Sequence, residues 1–250
     1  MNSAKDFILS NKYIDGSHVL FVGGEIFDKS NLCIKKDIID LFMFIAQNMI
    51  SKKIDLLYLN TNLLYDIDEI LFDVLYQFSY YNLFDRIKFT TSYDTYGRFN
   101  RSGLKQLFKD NIKKTKTMFN ALNIVVNVIM TRQLCNFSIF KKFSILKYFK
   151  DKYGCSVNFL PYIGDDENIK PTINDVFRFL NHENEHVNFI YDYVKNMDLP
   201  QDKLVHKFIN GDFSLISADK LDCGHVENFK KYSKNNTCFV CDLKTLFNVE

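Results

Sequence analysis

The sequence predicts an α/β protein in which a parallel sheet forms a partial βα barrel, followed by a small helical and metal-binding extension. Short runs rich in β-branched and aromatic residues alternate with longer stretches of helical periodicity. The runs begin at intervals of roughly 31 to 38 residues, close to the length of one unit in an eight-unit barrel. The predicted strands are residues 18–23, 54–59, 86–91, 123–130 and 155–160.

The predicted strands are largely apolar on both faces, which is typical of a parallel sheet covered on both sides. The intervening helices are predicted at residues 36–51, 67–81, 103–120 and 137–153. Each has one apolar face; in the first, that face carries Ile38, Leu41, Phe42, Ile45 and Met49. These helices are therefore expected to cover the sheet.

Composition sets the size of the fold and gives no support for a charged partner. The chain has 250 residues, of which 47% are hydrophobic, enough for a full core. The polar loop at residues 164–167 divides the predicted barrel, residues 1–165, from the extension, residues 166–250. The 32 basic and 30 acidic residues are interspersed, and no apolar run approaches the length of about 20 residues needed to cross a bilayer. We expect a cytoplasmic protein without a nucleic-acid or membrane partner.

Polar residues follow the carboxyl ends of all five predicted strands. In a βα barrel these ends form the ligand-binding face, so polar residues at five successive ends predict a site. They are Gly23, Gly24 and Glu25, then Asn60, Thr61 and Asn62, then Ser92 and Asp94, then Thr131 and Arg132, and finally Tyr162.

Four segments in order resemble the radical S-adenosylmethionine enzymes. They are VLFVGGE at residues 19–25, TSYDTYGRF at 91–99, GLKQLFKDNI at 103–112 and NIVVNVIMT at 123–131, and the resemblance covers roughly residues 1–165. It implies a partial barrel that binds S-adenosylmethionine across its carboxyl face. In this family a four-iron four-sulfur cluster then cleaves the cofactor to a 5′-deoxyadenosyl radical.

The resemblance also implies roles for individual residues. Gly23, Gly24 and Glu25 would bind the methionine ammonium, since glycine permits close backbone approach and a carboxylate accepts hydrogen bonds. Ser92 would contact the ribose hydroxyls, and Arg98 would pair with the methionine carboxylate.

Four further positions complete the implied cofactor site. Asn127 and Thr131 would contact the ribose or the carboxylate, and Tyr162 and Ile163 would flank the adenine. No catalytic residue is assigned by the resemblance.

The sequence departs from the family at the cluster. Family members hold the cluster with a Cys-x3-Cys-x2-Cys loop upstream of Gly-Gly-Glu, and this spacing is absent here. Cys33, Cys135 and Cys155 are isolated, and single buried cysteines are more often core residues than ligands. The sequence is compatible with a truncated enzyme, with a half-enzyme paired to a cluster-bearing fragment, and with a noncatalytic relative. Whether the chain is an enzyme, and on which peptide or other substrate, therefore stays open.

A second group of candidate ligands lies near the carboxyl end. Cys223, His225, Cys238 and Cys241 form two close pairs separated by a loop, which suits a tetrahedral zinc site. The alternative is an auxiliary iron–sulfur cluster held by the three thiolates. With structural zinc, the chain would be a noncatalytic barrel that binds a protein or peptide.

A third motif, His182-Glu183-Asn184-Glu185-His186, matches the His-Glu-x-x-His helix of zinc peptidases. The helix that begins at Pro171-Thr172 is expected to bury Ile173, Val176, Phe177 and Leu180. Both histidines then project from the opposite side, so a solvated helix face is the preferred interpretation and a peptidase the minor alternative.

Overall fold

The fold is built on a five-stranded parallel sheet whose spatial order follows the chain, β1-β2-β3-β4-β5. The computed structural model describes residues 5, 17–21, 25–94, 99, 103–162, 166–184, 204–207 and 213–216. The sheet strands are β1 Ser17–Leu20, β2 Ile54–Thr61, β3 Ile87–Tyr93, β4 Ile124–Met130 and β5 Ser156–Pro161. The predicted parallel α/β fold is confirmed at this level.

Six helices belong to the described residues. They are α1 Lys35–Ile50, α2 Leu71–Tyr80, α3 Leu104–Met118, α4 Arg132–Lys141, α5 Ile145–Tyr153 and α6 Ile173–Asn184. Short 3₁₀ helices at Lys29–Ile34 and Phe84–Arg86 precede α1 and β3, and a separate two-stranded antiparallel sheet joins β6 Leu204–Lys207 to β7 Phe213–Ile216. The apolar face predicted for the first helix is confirmed, because all five of its residues are buried in α1.

The strand faces differ from the prediction, because only one face of the described sheet is consistently buried. In the strands from Leu57 in β2 to the end of β4, and again in β5, successive residues alternate between buried and partly or fully exposed positions. In β3, for example, Phe89 and Thr91 are buried, whereas Lys88 and Thr90 are not. Strands added in one direction by right-handed crossovers carry their helices on one face. The second face, called here the open face, has partly or fully exposed side chains in the described strands.

An arginine ties the amino ends of β2 and β3 together. Arg86 directly precedes β3, and its guanidinium donates hydrogen bonds to the carbonyl oxygens of Met49, Ile54 and Asp55. It also lies 3.6 Å from the Asp55 carboxylate. One side chain thus satisfies carbonyls at the end of α1 and at the start of β2.

The helix predicted at residues 137–153 is wrong as a single element. It is two helices, α4 and α5, separated at Lys142, whose φ of 50° lies in the left-handed region. A helix cannot continue through that conformation, and a left-handed residue is a common helix end. The periodicity of the apolar residues did not reveal the break because both helices carry an apolar face.

The orientation predicted for α6 is confirmed at Val176 and Leu180, which are buried, but not at Phe177 or Glu183. Its buried residues include Val176, Phe179, Leu180 and Glu183, whereas Phe177 is only half-buried. The buried stripe is therefore rotated, and it continues through a carboxylate that is 1% exposed. Glu183 does not lie on a solvated face.

Three hydrogen-bond donors explain the burial of Glu183. Its oxygens accept from the Ser144 hydroxyl (2.8 Å) and from the backbone N–H groups of Ile145 (3.0 Å) and Leu146 (3.1 Å). The Ser138 hydroxyl lies 3.2 Å from Oε1, but its one proton is directed to the closer Phe143 carbonyl. The two backbone donors are at the amino end of α5, where N–H groups lack helical partners and the helix dipole favours a negative charge. Glu183 therefore caps α5 from a different helix.

Two compact units divide the chain: residues 1–128 with 148–159, and residues 129–147 with 160–250. The first contains α1, α2 and α3, and the second contains α4 and α6, which pack together. The predicted boundary at residue 165 stays a prediction. No helix in the described part of the chain is long and apolar enough to cross a bilayer.

We predict that Glu183→Ala lowers the free energy of unfolding by about 2 to 4 kcal/mol, because three buried donors lose their acceptor. His182→Ala, one residue earlier on the same helix, is the matched control and should cost less. Urea unfolding followed by circular dichroism measures both. Equal stability of Glu183→Ala and the wild type would contradict the capping role.

Candidate functional site

The open face carries a row of polar side chains near the carboxyl ends of the central strands. Ser92 in β3 is the register partner of Asn127 in β4, so the two residues are direct neighbours. Asn127 Oδ1 in turn accepts a hydrogen bond of 3.3 Å from Asn158 Nδ2 in β5. One strand earlier, the Thr90 hydroxyl donates to Asn60 Oδ1. Two of the predicted cofactor residues, Ser92 and Asn127, are thus brought together.

Glu25 is attached to the loop that follows β2. Its Oε2 atom accepts hydrogen bonds from the Thr61 hydroxyl (2.9 Å) and from the Asn62 N–H (2.7 Å), and Oε1 lies 3.4 Å from the Phe27 nitrogen. The Thr61 hydroxyl also contacts the Tyr65 hydroxyl at 2.7 Å. The carboxylate therefore has structural partners within its own chain.

The loop at residues 61–65 is held from a second direction by α3. Asn111 is buried, and its Nδ2 donates to the carbonyl oxygens of Leu63 (3.0 Å) and Tyr65 (2.8 Å). Leu63 has a φ of 55°, an unfavourable conformation for this residue type. Hydrogen bonds from Glu25 and Asn111 on either side stabilise this conformation.

Burial raises the pKa of two groups in this network, the Glu25 carboxyl and the Tyr65 hydroxyl. Loss of hydration raises the pKa of Glu25 above its ordinary value of 4.5, and the hydrogen bonds from Asn62 and Thr61 offset part of that rise. Burial also raises the pKa of Tyr65, and the adjacent Glu25 charge raises it further. Tyr65 is therefore a neutral hydroxyl at physiological pH.

Thr131 and Tyr162 have different surroundings. Thr131 is 1% exposed, and its hydroxyl accepts a hydrogen bond from the Leu134 N–H (3.2 Å) as the N-cap of α4. Tyr162 is half-buried after β5. Their predicted cofactor contacts stay predictions.

Several predicted site residues lie outside the described part of the chain. From the cofactor site these are Gly23, Gly24, Arg98 and Ile163, and from the metal site they are Cys223, His225, Cys238 and Cys241. The second histidine of the peptidase motif, His186, also lies outside the described residues.

The described cysteines do not form an iron–sulfur site. Cys33 is exposed, whereas Cys135 and Cys155 are buried. Burial raises the pKa of the Cys155 thiol to about 11 and that of Cys135 still further, which disfavours the thiolate that binds iron. Among the described residues, no three His, Cys, Asp or Glu side chains are grouped to hold a metal ion.

The peptidase interpretation requires a glutamate that can activate water. Both oxygens of Glu183 instead accept hydrogen bonds from α5 and its preceding turn. Releasing the carboxylate would leave those buried donors without an acceptor. The described geometry of Glu183 therefore gives a peptidase no support.

Sequence reasoning missed Asn158 and the partners of Glu25. Asn158 alternates with Ser156 along β5, and this period of two indicates one polar strand face. Thr61 and Asn62 were noted as polar residues after a strand, but nothing in their spacing indicates that they bind Glu25. A contact across 36 or 37 residues depends on the pairing of the strands.

Comparison of the chain with protein-family models, with curated proteins and with solved structures finds no match.

The raised pKa of Glu25 predicts a pH-dependent stability difference between the wild type and Glu25→Gln. The wild type should gain stability relative to the variant as the pH falls through the folded-state pKa, reaching its maximum below the unfolded-state value near 4.5. The gain is lost as the pH rises, because the folded state holds the proton more tightly. Urea unfolding from about pH 4 to pH 8 measures this difference.

Glu167→Gln provides the control, since the Glu167 side chain is 77% exposed and pairs with Lys170. The stability difference between the wild type and this control variant should vary less over the same pH range. An opposite slope for Glu25→Gln would mean that hydrogen bonding outweighs burial at this carboxylate.

Proposed function

We propose that the chain binds S-adenosylmethionine on the open face, near the carboxyl ends of β3 and β4, as a protein of the radical S-adenosylmethionine type. The observation that carries the proposal is the direct pairing of Ser92 with Asn127 on that face. Carboxyl ends of parallel strands are the usual ligand-binding edge of α/β sheets. The sequential strand order and the exposure of this face in the described strands support the proposal.

The chemistry of these two side chains suits a ribose. A serine hydroxyl donates and accepts hydrogen bonds, as does each ribose hydroxyl. Because Asn127 Oδ1 accepts from Asn158, the Asn127 amide nitrogen is the group that would donate to the ligand. Two adjacent polar groups on rigid strands can bind a vicinal diol with little loss of side-chain entropy.

The role proposed for Glu25 is limited by its hydrogen bonds. Each carboxylate oxygen can accept more than one hydrogen bond, so an ammonium group can add to the contacts with Thr61 and Asn62. In that arrangement Glu25 would connect the bound methionine group to the loop after β2. Arg98 would pair with the methionine carboxylate, as the family resemblance implies.

The described residues do not fit an iron–sulfur cluster, and we assign no radical step to them. In this proposal, a reaction on a peptide or other substrate requires cluster ligands from a partner fragment. Binding of S-adenosylmethionine is the part of the function that the chain's own residues can perform.

Binding is tested by isothermal titration calorimetry with S-adenosylmethionine. Ser92→Ala and Asn127→Ala should each weaken binding about fivefold, since each removes one hydrogen bond to a neutral group. Ser156→Ala makes the same chemical change at the opposite end of the open face and should leave the affinity unchanged. Failure of the wild type to bind, alone and with a cluster-bearing fragment, would contradict the proposal.

We also propose that Cys223, His225, Cys238 and Cys241 hold one metal ion, on the basis of their sequence spacing. Protein purified without oxygen should contain about one zinc per chain by elemental analysis, and Cys238→Ser should lose it. Cys33→Ser is the control, because Cys33 is exposed and isolated. Iron with visible absorbance would identify the iron–sulfur alternative, and absence of both metals would contradict the site.

A further inference from the structure

Three phenylalanines are exposed at the carboxyl end of α4 and in the turn after it. Phe137 is 53% exposed, Phe140 80% and Phe143 37%, and the rings of Phe137 and Phe143 are 6.5 Å apart. We call this group the phenylalanine surface. A single exposed apolar side chain is ordinary, but a cluster of large ones indicates a binding surface.

Hydrogen bonds on its buried side stabilise the turn that carries this surface. The Phe143 N–H donates to the Ser138 carbonyl (2.9 Å), and the Ser138 hydroxyl donates to the Phe143 carbonyl. On the other side of the turn, Glu183 accepts a hydrogen bond from the Ser144 hydroxyl (2.8 Å). Buried hydrogen bonds therefore fix both ends of a turn whose phenyl rings point outward, so the rings are presented in one arrangement before any partner binds.

The exposed charges next to the phenylalanine surface are basic, although the buried Glu183 lies beneath its turn and Asp151 follows in α5. From residue 132 to residue 150 every charged side chain is basic, although the whole chain has 32 basic and 30 acidic residues. Lys141 and Lys142 are exposed between Phe140 and Phe143, and Lys147 is exposed in the first turns of α5. The Lys141 ammonium lies 5.2 Å from the centre of the Phe140 ring. A partner of this surface must therefore accept phenyl rings and positive charge together.

We propose that the phenylalanine surface attaches the protein to an anionic lipid surface. Phenyl rings with adjacent lysines suit the boundary between acyl chains and anionic headgroups. Protein interfaces also favour phenylalanine but are depleted in lysine, so the lysines distinguish the two kinds of partner. A symmetric contact with a second copy would bring Lys141 and Lys142 close to their own equivalents. The proposal concerns attachment to one leaflet, and it is independent of S-adenosylmethionine binding.

The sequence contains no tryptophan, so Phe140→Trp introduces a single fluorescent reporter into the full chain. Its emission should resemble that of an exposed indole in buffer. It should shift to shorter wavelength when vesicles of equimolar phosphatidylcholine and phosphatidylglycerol are added, and less with pure phosphatidylcholine. Tyr80→Trp reports on an aromatic position that is 82% exposed in α2 and should not respond.

Vesicle sedimentation of the otherwise unaltered chain measures the strength of attachment. Phe140→Ser should weaken it roughly tenfold, and Lys141→Gln about fivefold, with a further loss at high salt. Tyr80→Ser should bind like the wild type. Because Phe140 is largely exposed, Phe140→Ser should keep the wild-type circular dichroism spectrum and melting temperature.

Three results would overturn the proposal. An emission that is already shifted without vesicles would mean that the chain or a second copy covers the surface. No response to either vesicle would indicate a protein partner or none. An equal response to both vesicles would rule out selection for anionic lipid.

Discussion

The burial of one face of the sheet determines which strand side chains form the core and which ones face the candidate site. Side chains alternate along each strand, and sequential parallel crossovers place the helices on one face. Alternate residues such as Phe89 and Val126 therefore lose contact with water completely, whereas Thr90 and Asn127 do not. The same alternation that forms the core leaves a polar face at the carboxyl ends of the strands. The core and the candidate site thus follow from one geometric constraint.

Two carboxylates at motif positions act first as acceptors for backbone groups. Glu25 accepts from the Asn62 N–H after β2, and Glu183 accepts from two N–H groups at the start of α5. Both connect segments far apart in sequence. A glutamate in a Gly-Gly-Glu or His-Glu-x-x-His run can therefore be selected by the fold, whatever ligand the motif suggests.

The sequence predicted the elements more reliably than their contacts. The strands and α1 were predictable because local periodicity decides which side chains are buried, as at Ile38 and Phe42. The break at Lys142 was not, because a lysine occupies the left-handed position at which a helix end usually carries glycine, so no glycine signals the break. Within the candidate site, Ser92 and Asn127 could be predicted because Ser92 lies near the end of a predicted strand and Asn127 lies within the next one. The partners of Glu25 could not, because they depend on which strands are neighbours.

Arg86 has a consequence for how the sheet forms. It precedes β3 directly and bonds to carbonyls at the start of β2, so these contacts can form only when the two strands meet in the observed alignment. A shift of one residue would exchange the two faces of β3, bringing Lys88 and Thr90 under the helices and Phe89 into water. Such misalignment is a hazard for parallel strands, which are joined by long connections and lack a tight turn to align them. The Arg86 guanidinium penalises such a shift, because its hydrogen bonds to the start of β2 form only in the observed alignment.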